Sequence, residues 1–65
     1  MRPRELRELS DDDLELRLHE RRQELFNLRF QAATGALESS AQLRHARREI
    51  ARILTIKNER AAEKV

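Results

Sequence analysis

Gly35 is the only glycine in a chain of 65 residues, and it stands near the middle; the only proline is Pro3. From residue 4 to 34, and again from residue 36 onward, no residue that breaks a helix interrupts the sequence. A glycine accepts the left-handed backbone with which helices commonly end, at no steric cost. Gly35 is therefore expected to close one long helix and turn the chain into a second.

The flanking residues mark where those helices begin. Ser10 precedes Asp11, Asp12 and Asp13. The serine oxygen can accept an orphan backbone N–H, and the three carboxylates sit where the helix dipole is positive. Leu9 before the cap and Leu14 inside the helix are spaced to close a hydrophobic staple. Leucine or alanine at 14, 18, 25, 28 and 32 then forms one helical face. After the glycine, Ser39 or Ser40 provides the next cap, with Gln42 three residues after Ser39 in capping-box position. Leu43, Ala46, Ile50, Ile53 and Leu54 give the second helix its apolar face.

The expected fold is all-α: one domain over 1–65, with a helix at about 11–34, a turn at 35–38 and a helix at about 40–60. So short a connection makes the two helices an antiparallel, coiled-coil-like hairpin. The segment Arg4 to Leu9 is expected to form a short helical turn that lays Leu6 and Leu9 over the open end.

Composition sets how well such a hairpin can support itself. Only 38% of residues are hydrophobic against 40% charged, two phenylalanines are the only aromatic residues, and cysteine is absent. A small chain with this apolar inventory has little core, no disulfide staple and, with His19 and His45 in different helices, no metal site. A partner is the expected support. No apolar run is long enough to span a membrane, and the charged opening Met1-Arg2-Pro3-Arg4 is unlike a secretory leader, so a cytoplasmic protein is expected.

The charge is unevenly spread. Residues 1–38 hold seven basic and nine acidic side chains, residues 39–65 seven basic and three acidic, which points the second half toward a polyanion. On a helical projection with Arg44 at zero, the apolar residues of the second helix fall between about 180° and 280°. Arg47, Asn58, Arg44, Thr55, Arg48 and Arg52 run from about 300° through zero to about 80°. The small Ala51 lies among them, where a sugar-phosphate backbone can approach closely. Guanidinium groups, a hydroxyl and an amide on one smooth face suit phosphate and 2′-hydroxyl contacts, with no base code. For any single arginine the plainer reading is a solvated charge, or a pair with Glu49; the four as a set favour nucleic acid.

On the first helix Leu16, Phe26 and Phe30 project away from the Leu14 face, at about 200°, 120° and 160°. Two readings stay open: they widen the core beneath the N-terminal segment, or they form an apolar patch where another macromolecule docks. Arg21 lies within the apolar arc, where its stem can pack while its head reaches water or an anion. Catalytic groupings are absent, the acidic run is explained by helix capping, and one glycine cannot build a phosphate-cradling loop. No enzyme activity, cofactor, metal or small-molecule substrate is expected.

Three segments resemble a known family. They are Glu5-Leu6-Arg7-Glu8-Leu9-Ser10; Glu24-Leu25-Phe26-Asn27-Leu28-Arg29-Phe30-Gln31 followed by Gly35 and Leu37; and Arg44 through Thr55, reading Arg-His-Ala-Arg-Arg-Glu-Ile-Ala-Arg-Ile-Leu-Thr. In order and spacing they are similar to the bacterial form of the large-subunit ribosomal protein numbered twenty-nine. The resemblance implies a structural component of the large ribosomal subunit, a helical hairpin lying on ribosomal RNA near the exit of the nascent-peptide tunnel. It implies ribosomal protein numbered twenty-three as a neighbour, with trigger factor and the signal recognition particle docking nearby. It assigns RNA contact to Arg44, Arg47, Arg48, Arg52 and Thr55, with Arg29 as a further candidate. Most lysines of the family are arginine here, which changes donor geometry more than role. The rival from another class is a free-standing coiled-coil interaction module. A small DNA-binding protein is weaker still, since no short recognition helix follows a tight turn.

Overall fold

A computed structural model describes residues 2–37 and 39–63. Met1, Lys64, Val65 and Glu38, the last position of the expected turn, lie outside the described residues. The chain forms α1 (Pro3–Arg7), α2 (Asp11–Thr34) and α3 (Ala41–Glu63), with no strand among the described residues. The long helices pack against each other as the expected hairpin, and α1 packs on α3. The molecule measures 45 × 17 × 16 Å. We call the end covered by α1 the base and the end at the turn the tip.

Local chemistry accounts for the boundaries. Pro3 opens α1, where its missing N–H is not needed. Ser10 has extended backbone, and its Oγ accepts from Asp13 N–H at 3.1 Å. At the far end of α2, Gly35 takes φ 79°, and its N–H donates to Ala32 O at 3.2 Å. Ala36 N–H donates to Gln31 O at 2.8 Å. These paired bonds satisfy carbonyls that the ended helix leaves open. Ahead of α3, Ser39 Oγ accepts from Ala41 N–H at 3.2 Å.

The core gathers at the base. Leu6, Leu14, Leu18, Ile53 and Ile56 form one buried cluster, with Leu9, Ile50 and Leu54 packed against it. Toward the tip, Leu28 and Ala46 are the buried residues, while Leu25 and Leu43 are half-buried. Ala32 shares the projected face of Leu14 yet is exposed. Ile56 departs from expectation the other way: it projects at about 120°, outside the seam with α2, yet is buried. It is buried because α1 supplies α3 with a second neighbour and so widens its apolar arc.

Two cations at the base belong to that packing. Arg60 donates through Nη2 to Arg7 O at 3.0 Å and Leu9 O at 2.7 Å, and through Nη1 to Asp11 Oδ1 at 2.8 Å. One planar guanidinium thus ties the α1–α2 junction to α3, using the fork geometry a lysine lacks. Lys57 pairs with Glu15 across the two long helices.

Candidate nucleic-acid interface

On α3 the backbone carries Arg44, Arg47, Arg48, Arg52, Thr55 and Asn58 to one exposed face, opposite the side that buries Ala46 and Ile53. The set runs over fifteen residues, from Arg44 to Asn58, or about 21 Å of helix axis. Exposed Ala51 lies among them and keeps that face low. No ion pair among the described residues engages Arg44, Arg47 or Arg48. Guanidinium groups held this way on a rigid helix keep donors available for phosphate oxygens. Thr55 differs from the sequence picture in one respect: its hydroxyl donates to Ala51 O at 2.8 Å. What it offers a ligand is therefore its lone pairs, which suit a 2′-hydroxyl donor better than a phosphate.

The remaining candidates lie on α2. Arg29 is exposed near the tip, on the other helix from the stripe. Leu16, Phe26 and Phe30 are 58%, 70% and 65% exposed, so they do not widen the core beneath α1. The two apolar readings of these side chains thereby reduce to an outward-facing one. They do not form one patch either: Leu16 lies ten residues before Phe26, about 15 Å along the axis. Leu16 borders a groove with Leu9, Asp13, Arg17 and Glu20. Phe26 borders a separate, shallow depression with His19, Arg22, Gln23 and Asn27. Arg22 was not singled out from the sequence; its signal is the spacing Arg22, Phe26, Arg29, which puts an arginine on the turn before and after one ring.

Arg21 is partly buried as its place in the apolar arc suggests, but its head meets acids of its own helix. It pairs with Glu24 at 3.0 Å and approaches Glu20 at 3.8 Å, and its Nε is buried with no hydrogen-bond partner among the described residues. Among the described residues no helix is long and apolar enough to cross a membrane, and no group of acidic or histidine side chains is placed to hold a metal.

Comparison with known proteins bears on this geometry. A sequence model of the family described as Ribosomal L29 protein matches residues 4–60, from α1 to Arg60. The large ribosomal subunit protein uL29 of Rubrobacter xylanophilus is 62% identical over 60 residues, covering 92% of this chain and 90% of its own. The protein of that name from Saccharopolyspora erythraea is 62% identical over 56 residues, covering 86% and 70%. That of Mycobacterium sp. strain KMS is 60% identical over 58 residues, covering 89% and 75%. With the match running through all three helices, the chain belongs to the ribosomal L29 protein family, whose members are structural proteins and not enzymes.

Proposed function

We propose that this chain is a structural constituent of the large ribosomal subunit and that the outer face of α3 binds ribosomal RNA. The observation that carries the reading is the one-sided set Arg44, Arg47, Arg48 and Arg52, all exposed on the face of α3 that lies opposite the buried Ala46 and Ile53. Thr55, Asn58 and, from α2, Arg29 complete the proposed contacts. Guanidinium groups supply the phosphate neutralisation from which most affinity for a nucleic acid comes. In this reading the hairpin lies near the exit of the nascent-peptide tunnel, beside ribosomal protein numbered twenty-three. It contributes there to the surface on which trigger factor and the signal recognition particle dock, and the protein is cytoplasmic because the ribosome is.

The test replaces Arg44, Arg48 and Arg52 with glutamate, leaving the seam intact. The variant is expected to melt like the parent and to be lost from large subunits after a high-salt wash. Undiminished retention overturns the reading. A salt-stable homodimer of the parent protein that ignores ribosomal RNA favours the coiled-coil module instead.

A further inference from the structure

Phe26 and Phe30 stand one helical turn apart on the outer face of α2, and most of each ring is exposed. Exposing both aromatic residues of a core-poor chain calls for an occupant. Charge along the molecule indicates which kind. Residues 25–52, the tip half, hold five arginines and two glutamates, while the rest of the chain holds nine basic and ten acidic residues. The rings therefore sit on the positive, acid-poor half. Leu16, flanked by Asp13 and Glu20, sits on the other and is a separate feature. Arg22 and Arg29 bracket Phe26, and the Asn27 amide lies beside it.

A ring exposed between two arginines matches what unpaired nucleotides require, since the base stacks on the aromatic face while the guanidinium groups take the adjoining phosphates. An A-form duplex cannot use the rings in this way because its bases are already stacked. We propose that Phe26 and Phe30 form a stacking platform for unpaired bases of ribosomal RNA, with Arg22 and Arg29 on the neighbouring phosphates. The tip is then held by RNA on two faces: backbone along α3 and splayed bases on α2. This rests on the reading of the chain as a ribosomal-RNA-binding protein, but it removes the two rings from any protein-docking patch.

Binding of the full chain to protein-free large-subunit ribosomal RNA, measured across a salt series, separates the two claims. Phe26→Leu and Phe30→Leu keep apolar area but lose the stacking face; each is expected to weaken binding by at least about fivefold. The salt dependence should stay unchanged, because no phosphate contact has been removed. Phe30→Trp should retain affinity. Arg44→Ala with Arg48→Ala should instead flatten the salt dependence. Leucine variants that bind like the parent overturn the platform whatever the arginine pair does. If the arginine pair changes nothing while the leucine variants weaken binding, the α3 reading fails and the platform stands. A photo-reactive phenylalanine analogue at position 26 or 30 in assembled subunits gives an independent readout: crosslinks to RNA support the platform, and crosslinks to protein alone overturn it.

Discussion

At the base three helices enclose Leu6, Leu14, Leu18, Ile53 and Ile56, whereas toward the tip two helices enclose Leu28 and Ala46. The difference lies in the number of neighbours. Two helices share a seam, and a residue a quarter-turn off it stays in water; a third helix, even one as short as α1, converts that flank into interior. Polar groups follow the same division. The base uses Arg60 and Lys57 inside its own structure, while the arginines of the tip half point outward. The end that completes its own packing is thus the one with balanced charge. The thinly packed end presents guanidinium groups and aromatic rings.

The sharpest way to break this contrast is to cut equal volume from each end. Ile53→Ala at the base removes a fully buried side chain from a closed cluster and is expected to cost about 3 to 4 kcal/mol. That is most of the stability a chain of this size has, so the thermal transition followed by circular dichroism should lose its cooperativity. Leu28→Ala at the tip leaves a cavity that opens to solvent, and about 2 kcal/mol is expected. Equal losses at both ends would mean that the tip is as closely packed as the base.

A second break targets the polar tie of the base. Arg60→Met keeps the stem in place but removes the donor to Arg7 O, Leu9 O and Asp11 Oδ1, at an expected cost of about 2 kcal/mol. Arg60→Lys should recover less than half of this, because an ammonium cannot reach three acceptors in one plane. Hydrogen exchange should quicken in α1 and at the start of α2, and stay unchanged around Gly35.

The same division explains what the sequence could disclose. Ser10, Gly35 and the arginine face of α3 were legible because each depends on neighbours within one helix, through a cap, a positive φ or an angular position. Ile56 and Arg60 were not, since both acquire their roles from α1, more than forty residues away in the chain. A projection that gives α3 one partner puts Ile56 outside the seam and leaves Arg60 without a task. Ala32 fails for the opposite reason: it has the right angle at a height where little covers it. The exposure of Phe26 and Phe30 was half legible, as their angles pointed away from the seam but no pattern could say whether α1 reached them.

At the tip the turn itself can be tested. Among the described residues a Cβ at Gly35 meets nothing within 4 Å, so Gly35→Ala is opposed there by its backbone alone, at φ 79°. The left-handed conformation costs a residue with a Cβ about 1 kcal/mol. Gly35→Asn should cost less, because its side chain is better tolerated there. Either change should lower the melting temperature by only a few degrees while leaving exchange protection at the base intact. A Gly35→Ala variant that melts as one unit with the loss of α1 would show the two ends to be more strongly coupled than their packing suggests.

The smallest expected effect lies at the base, beside the largest. Arg7 and Glu59 approach to 3.5 Å, but 57% and 48% of their side chains stay in water. Solvent screens such a pair, and holding two long side chains together costs entropy, so a double-mutant cycle with alanine should return less than about 0.5 kcal/mol of coupling. The Arg60–Asp11 pair, at 2.8 Å and with the arginine only 24% exposed, should return at least twice as much. Arg60 is already held by two backbone carbonyls, so its carboxylate partner orders little that is still free. Equal coupling in the two cycles would show that Asp11 adds no more than a solvent-screened partner, and would leave the two backbone carbonyls alone to hold Arg60 between α1 and α3.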